Sequence, residues 1–222
     1  MAKPRLLVTG FSAFPGAPRN PTETLIDALD VSRLARRLDI DLAAAVLPTE
    51  YDAVSQILPR LWNDIRPDAV IHFGLHGRAG QVRVEMRGTN YMRPVPPDAA
   101  RRHPGRIAIE PGGPMHRRAS LPVDRIRSAT RRAGVPARLS HDAGGYLCNY
   151  ALWLSLGLAE GRGESGPAIA GFVHLPWPAE ERAPRAPAVR PSWGGLAVAM
   201  ETAIEVTAVA ARARSLPGLA RQ

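Results

Sequence analysis

The sequence predicts an α/β protein, a three-layer α/β/α sandwich around a mixed, mainly parallel sheet. Three observations carry that expectation. Short apolar strand-like runs alternate with helical stretches along the whole chain. Two of the runs, 69–73 and 168–175, are apolar almost throughout, as strands covered on both faces are. Apolar residues make up 45% and charged residues 22% of a 222-residue chain, enough for a substantial core, and chains below roughly 250 residues usually keep one core. A single domain spanning 1–222 is expected.

The elements follow in order. Residues 5–9 form the first strand: Lys3 and Arg5 precede only a short apolar run, which Gly10 closes before any cleavage-site pattern appears, so no signal peptide is read here. The loop 11–19 carries Pro15, Gly16 and Pro18. Asn20 before Pro21 suits a helix N-cap and first helical position, and Leu25, Ile26 and Leu29 supply an apolar face. A strand at 41–47, a helix at 51–65 and the strand at 69–73, ended by Gly74, come next. In 82–86 the alternation puts Val82, Val84 and Met86 on one face and Arg83, Glu85 and Arg87 on the other, so Glu85 lies on the strand's polar side.

Residues 90–114 are rich in Pro, Gly and Arg with weak periodicity, which predicts a long irregular excursion, either mobile or engaged in an oligomer contact. A helix at 122–133, a short strand at 137–140, a helix at 145–158, the buried strand at 168–175, a Pro- and Arg-rich loop at 179–191 and a last helix at 192–214 complete the pattern. No run reaches the roughly 18 consecutive apolar residues of a membrane span, and Glu201 and Glu205 interrupt the Ala-rich last helix. No membrane partner is expected.

Net charge is +9, and Lys3 is the only lysine, so 28 of the 29 basic residues are Arg. They occur in scattered pairs such as Arg36-Arg37 and Arg131-Arg132, with few interleaved aromatics to stack bases, so a solvated arginine-rich surface is the simpler reading and a nucleic-acid partner is not expected. The single cysteine forms no internal disulfide and has no thiolate companions for a metal site, which makes the cytoplasm its natural compartment.

That cysteine is also the first candidate for chemistry. Cys148 falls in the first turn of the helix predicted from 145, where free N–H groups and the positive end of the dipole favour a thiolate. Gly144 and Gly145 before it allow a tight entry and the approach of a substrate carbonyl to backbone N–H groups. On these residues alone Cys148 is either a nucleophile or a small buried hydrophobe. A nucleophile needs a base, and His72, His76, His103, His116, His141 and His174 are all available. His174 has the best context, ending the apolar run 169–173 at a strand's C-terminal edge, where α/β sheets place active sites. Glu85 has the position of a third group that orients the imidazole, or of a sheet-edge carboxylate paired with Arg83 or Arg87.

Read together, four segments resemble, in order, the pyroglutamyl peptidase I family of cysteine peptidases: Val8-Thr9-Gly10-Phe11-x-x-Phe14, Asn20-Pro21-Thr22, Ser140-x-Asp142-Ala143-Gly144-x-Tyr146-Leu147-Cys148-Asn149 and Gly171-Phe172-Val173-His174-Leu175-Pro176. The resemblance runs from the first strand to the final helix and is most specific around Cys148. It implies hydrolysis of the amide bond after an N-terminal pyroglutamyl residue through a thioester, without cofactor or metal, by a homo-oligomer (dimer or tetramer). It further implies Cys148 as nucleophile, His174 as base and Glu85 as acid, with Phe11 and Phe14 enclosing the pyroglutamyl ring. Asn20 and Leu75 are then candidates for the substrate site, and Arg93 for an oxyanion donor beside the Cys148 N–H.

The chain departs from the family pattern at Leu75, where many bacterial members have a polar residue, at Gly145, which replaces a commonly hydroxylated residue, and through 91–109. Those departures bear on substrate contacts. A non-catalytic binding protein on the same fold, or a hydrolase of another capped amide, are the alternative readings.

Overall fold

The computed structural model describes residues 2–161, 168–183 and 185–214. In chain order its strands are β1 (Arg5–Phe11), β2 (Asp41–Leu47), β3 (Ala69–Leu75), β4 (Val82–Glu85), β5 (Arg87–Thr89), β6 (His116–Arg118), β7 (Ala137–Ser140) and β8 (Ile169–Leu175). Six of them form one sheet in the order β2-β1-β3-β8-β4-β7, while β5 and β6 pair apart from it. From β2 to β8 the strands are parallel; β4 turns antiparallel to β8, and β7 follows β4. The helices are α1 (Pro21–Asp27), α2 (Val31–Leu38), α3 (Tyr51–Ile65), α4 (Val123–Arg132), α5 (Leu147–Glu160) and α6 (Trp193–Arg214).

Alternation along each strand feeds two cores. Leu6, Val8, Ile71, Phe73, Val173 and Leu175 pack with α1, α2, α4 and α6, whereas Leu7, Val70, Ala170 and Phe172 pack with α3 and α5. Helices therefore cover both faces of the central strands, which explains their continuous apolar runs. This is the expected three-layer sandwich with its mixed, mainly parallel sheet.

Local chemistry sets several boundaries. Asn20 caps α1, its side chain accepting from the Thr22 N–H at 3.1 Å ahead of Pro21. No element was expected at α2, although its Val31, Leu34, Ala35 and Leu38 recur at i, i+3, i+4 and i+7: the helix has only 8 residues, a short stretch of pattern beside the loops around it. Asp30 caps it, accepting from the Arg33 N–H at 2.8 Å, and Asp39, with φ 51°, closes it. Helix α5 begins at Leu147 rather than 145, because Gly144 adopts φ +82° and Gly145 is still part of the turn.

By averaged hydropathy α6 passes where a count of consecutive apolar residues does not: it is long and apolar enough to cross a membrane, at a mean hydropathy of 1.4. Here it is a core helix. Leu196, Met200, Ala203 and Ile204 are buried, and outward-facing Glu201 and Glu205 pair with Arg33 and Arg37 of α2 at 2.6 and 3.8 Å.

The irregular excursion at 90–114 is tied down at many points. Asn149 of α5 donates from Nδ2 to the carbonyls of Thr89 (2.7 Å) and Tyr91 (2.9 Å), and its Oδ1 accepts from the Thr89 N–H (2.8 Å). Buried Asp98 accepts from the N–H groups of Tyr51 and Arg102, and Tyr146 Oη donates to the Pro97 carbonyl at 3.0 Å. The excursion is thus held against the N-terminal ends of α3 and α5, beside the candidate site.

Candidate active site

The turn before α5 is built from its own residues. Asp142 Oδ1 accepts from the Gly144 N–H at 2.8 Å, and Gly144 takes the left-handed conformation that glycine adopts without strain. The chain then enters α5 with Cys148 as its second residue, and no side chain caps that end, so its first N–H groups remain available to an anion. Gly145 does not face the substrate side as its position suggested. A Cβ there would meet the Tyr91 ring at 2.8 Å and the Arg93 nitrogen at 3.1 Å, so the glycine makes room for the excursion.

The sheet supplies the other two groups. In the register, His174 of β8 lies beside Gly74 of β3 and opposite Arg83 of β4. The face of β4 read as polar turns toward the α5 side of the sheet and is covered there: Glu85 is fully buried, and the His174 Nδ1–H donates to its Oε1 at 2.8 Å. With Nδ1 engaged, Nε2 is the nitrogen left free for Cys148, which lines the same cavity. Burial alone would lower the His174 pKa, but the charge and hydrogen bond of Cys148, and then of Glu85, outweigh it and raise it to about 9. Cys148, His174 and Glu85 therefore stand in one interacting row, with the His174–Glu85 hydrogen bond at its buried end.

The remaining histidines separate by environment. His72 is fully buried between Thr9 Oγ1 (2.6 Å) and Ser155 Oγ (2.7 Å), and burial pushes its pKa down to about 3. It is a satisfied neutral core histidine. His76 stands edge-on to His174 with ring centroids 5.4 Å apart, and its Nε2 lies 3.0 Å from Arg83 Nη1. Burial, then the neighbouring His174 and Arg83 charges, lower its pKa to about 4, so it is neutral and accepts from Arg83. His103, His116 and His141 are exposed.

A cavity of about 620 Å³ opens beside Cys148 and His174, with Phe14, Leu75, Tyr146 and Trp177 giving it an apolar wall. The structure thus gathers Cys148, His174, Phe14 and Leu75 at one cavity, with Glu85 behind His174. It does not bring the other three candidates to the cavity lining. Phe11 is buried with its ring 6.1 Å from Phe172, in the core behind the site. Asn20 is buried and committed to α1, donating from Nδ2 to the Ser12 carbonyl at 3.1 Å while Oδ1 serves Thr22. Arg93 has an exposed side chain, and its backbone N–H donates to the Gly145 carbonyl at 2.6 Å. Tyr146, Trp177 and the arginines Arg78, Arg182 and Arg185 line the cavity without having been singled out, and His76, one of the six candidate bases, lines it as well. Adjacency to Cys148 and His174 was the available signal for Tyr146 and Trp177, and the Pro- and Arg-rich loop at 179–191 for the last two arginines. Among the described residues no cluster of three or more His, Cys, Asp or Glu is placed to hold a metal ion.

Comparison with known proteins gives a consistent picture. A family model described as pyroglutamyl peptidase matches residues 4–215. A pyrrolidone-carboxylate peptidase of Pyrococcus furiosus is 32% identical over 177 residues, covering 80% of this chain and 83% of the relative. One of Gloeobacter violaceus is 34% identical over the same shares of each chain. The solved pyrrolidone carboxyl peptidase of Thermococcus litoralis superposes with a TM-score of 0.81 at 29% identity, over 93% of both chains. Pyroglutamyl peptidase I of Bacillus amyloliquefaciens, at 24% identity, shares the fold with a TM-score of 0.83 over 93% of this chain and 98% of its own.

Proposed function

The chain belongs to the pyroglutamyl peptidase family, and from that premise we propose that Cys148, His174 and Glu85 are the residues with which it removes N-terminal pyroglutamate from peptides. The observation that carries the assignment is the buried hydrogen bond from His174 to Glu85, with His174 and Cys148 facing one cavity.

Cys148, as thiolate, attacks the carbonyl carbon of the amide that follows pyroglutamate. Negative charge develops on the carbonyl oxygen, and the uncapped N–H groups at the start of α5 are the donors nearest the nucleophile. His174, carrying the proton taken from the thiol, gives it to the leaving nitrogen from Nε2 as the C–N bond breaks. Water then attacks the thioester, with neutral His174 accepting its proton, and the thiol is regenerated as pyroglutamate departs. Glu85 holds Nδ1–H, which keeps Nε2 toward the sulfur and stabilises the imidazolium.

The lining also supports selection of the ring. Phe14, Leu75, Tyr146 and Trp177 suit a compact uncharged lactam, and among the described residues no carboxylate lines the cavity to receive an α-ammonium. A free N-terminus would lose hydration there without a counter-charge. A lone thiol nucleophile works in a reducing compartment, which supports a cytoplasmic enzyme; the family resemblance supports a homo-oligomer.

The deciding experiment measures amine release from a pyroglutamyl amide beside the prolyl and glutamyl amides, with Cys148→Ser as control. Cleavage of the pyroglutamyl amide alone, lost in the variant, is expected. A reactive Cys148 with none of the three cleaved would favour a hydrolase of another capped amide, and an unreactive thiol would favour a binding protein.

A further inference from the structure

The acyl half of the proposed substrate leaves one feature of the cavity unused. Arg78, in the turn after β3, and Arg182 and Arg185, in the loop before α6, all line the cavity that holds Cys148 and His174, and among the described residues no Asp or Glu lines it. All three are exposed, and no hydrogen bond or ion pair joins any of them to another described residue. The loop that carries two of them is braced from both sides. Arg190 donates from Nη2 to the Glu181 carbonyl at 2.8 Å, from Nη1 to the Pro187 carbonyl at 2.6 Å, and from Nε to the Trp177 carbonyl at 3.1 Å. Two acids, Glu180 and Glu181, precede Arg182 in this loop and neither lines the cavity; Glu180 is engaged at the start of α6, accepting from the Trp193 N–H at 3.1 Å.

A pyroglutamyl ring carries no charge, so three unpaired guanidinium groups around the reacting centre have no counter-charge in that half of the substrate. A counter-charge can come only from the leaving half, which must pass the solvent side of the cavity where these groups stand. We propose that the cavity selects pyroglutamyl peptides whose leaving part bears a carboxylate within its first two residues, either an Asp or Glu side chain or the C-terminal carboxylate of a short peptide. Each exposed ion pair is weak alone, but three cations on one cavity whose described lining holds no acid concentrate anions there. The same field repels the ammonium of an uncyclised N-terminus.

This selectivity rests on the peptidase reading and is tested with the full chain by measuring kcat/KM for four peptides: pGlu-Ala-Ala-amide, pGlu-Glu-Ala-amide, pGlu-Lys-Ala-amide and pGlu-Ala-Ala with a free C-terminus. At low ionic strength the two acidic peptides should exceed the lysyl peptide by about tenfold, equivalent to ~1.4 kcal/mol, mostly through KM. The ranking should collapse near 1 M salt, where the screening length is about 3 Å. Whichever acidic peptide gains more identifies the source of the carboxylate. The triple variant Arg78→Gln, Arg182→Gln, Arg185→Gln should level the series, and Arg182→Glu alone should shift it toward the lysyl peptide. Cleavage of all four peptides with a flat ranking, or a ranking unchanged in the triple variant, overturns the selectivity while leaving the peptidase intact. Cleavage of none removes the peptidase reading and this inference with it.

Discussion

Gly74 and Cys148 are packed so closely that a Cβ added at position 74 would lie 2.9 Å from the Cys148 sulfur and 2.5 Å from the Phe172 ring. The glycine that ends the apolar part of β3 therefore makes the space in which the proposed nucleophile stands. Gly74→Ala is expected to push the sulfur and the ring apart, at about 1–3 kcal/mol of overpacking, and to lower kcat at least tenfold by misplacing the sulfur. Thermal unfolding and steady-state kinetics measure both, and a variant that matches the wild type in each would show that the site tolerates the contact.

Replacing the row's members separates their roles. Cys148→Ser and His174→Ala should abolish measurable turnover while circular dichroism stays native. Glu85→Gln keeps an acceptor for Nδ1–H but removes the charge behind the imidazolium, so a partial loss of about 10²-fold in kcat is expected. Wild-type kcat in Glu85→Gln would remove Glu85 from the mechanism.

The protonation of His174 should report its neighbours. Burial opposes the charged ring, and Cys148 and then Glu85 overcome it, so the imidazolium persists to about pH 9. Because this lies above the unfolded value of about 6.5, the charged ring stabilises the fold fully below about pH 6.5, and its contribution fades as pH rises through about 9. In Cys148→Ser the strongest raising influence is gone, and an NMR titration of the His174 ring should move downward. An identical titration in the two proteins would contradict the pairing.

Asn149 anchors the excursion through three hydrogen bonds to Thr89 and Tyr91. Asn149→Ala leaves those backbone groups unpaired beneath the excursion, a loss of about 2–4 kcal/mol. Amide exchange at Thr89 and Tyr91 should rise above the average for the protein. A uniform change across all amides would mean that the side chain stabilises the fold as a whole and not this segment.

Much of the architecture was legible because it rests on short-range patterns. The apolar runs at 69–73 and 168–175 announced strands covered on both faces, the Asn20-Pro21 pair announced the start of α1, and Gly144 announced the turn that places Cys148 at the head of a helix. The helix α2 was missed although Val31, Leu34, Ala35 and Leu38 recur at helical spacing, because its 8 residues make little more than two turns of pattern.

By itself, then, the sequence determined the layer order and the placing of Cys148 at a helix N-terminus and His174 at a strand end, because these follow from side-chain period and turn chemistry within a few residues. Only the tertiary structure decided which of six histidines meets the sulfur, that Glu85 turns toward His174 rather than toward Arg83 or Arg87, that Phe14 and not Phe11 reaches the cavity, and that Arg78, Arg182 and Arg185 converge there. Those outcomes depend on the antiparallel register of β4 against β8 and on where distant loops return. Proximity across such separations is set by how strands pair, and no local pattern encodes it.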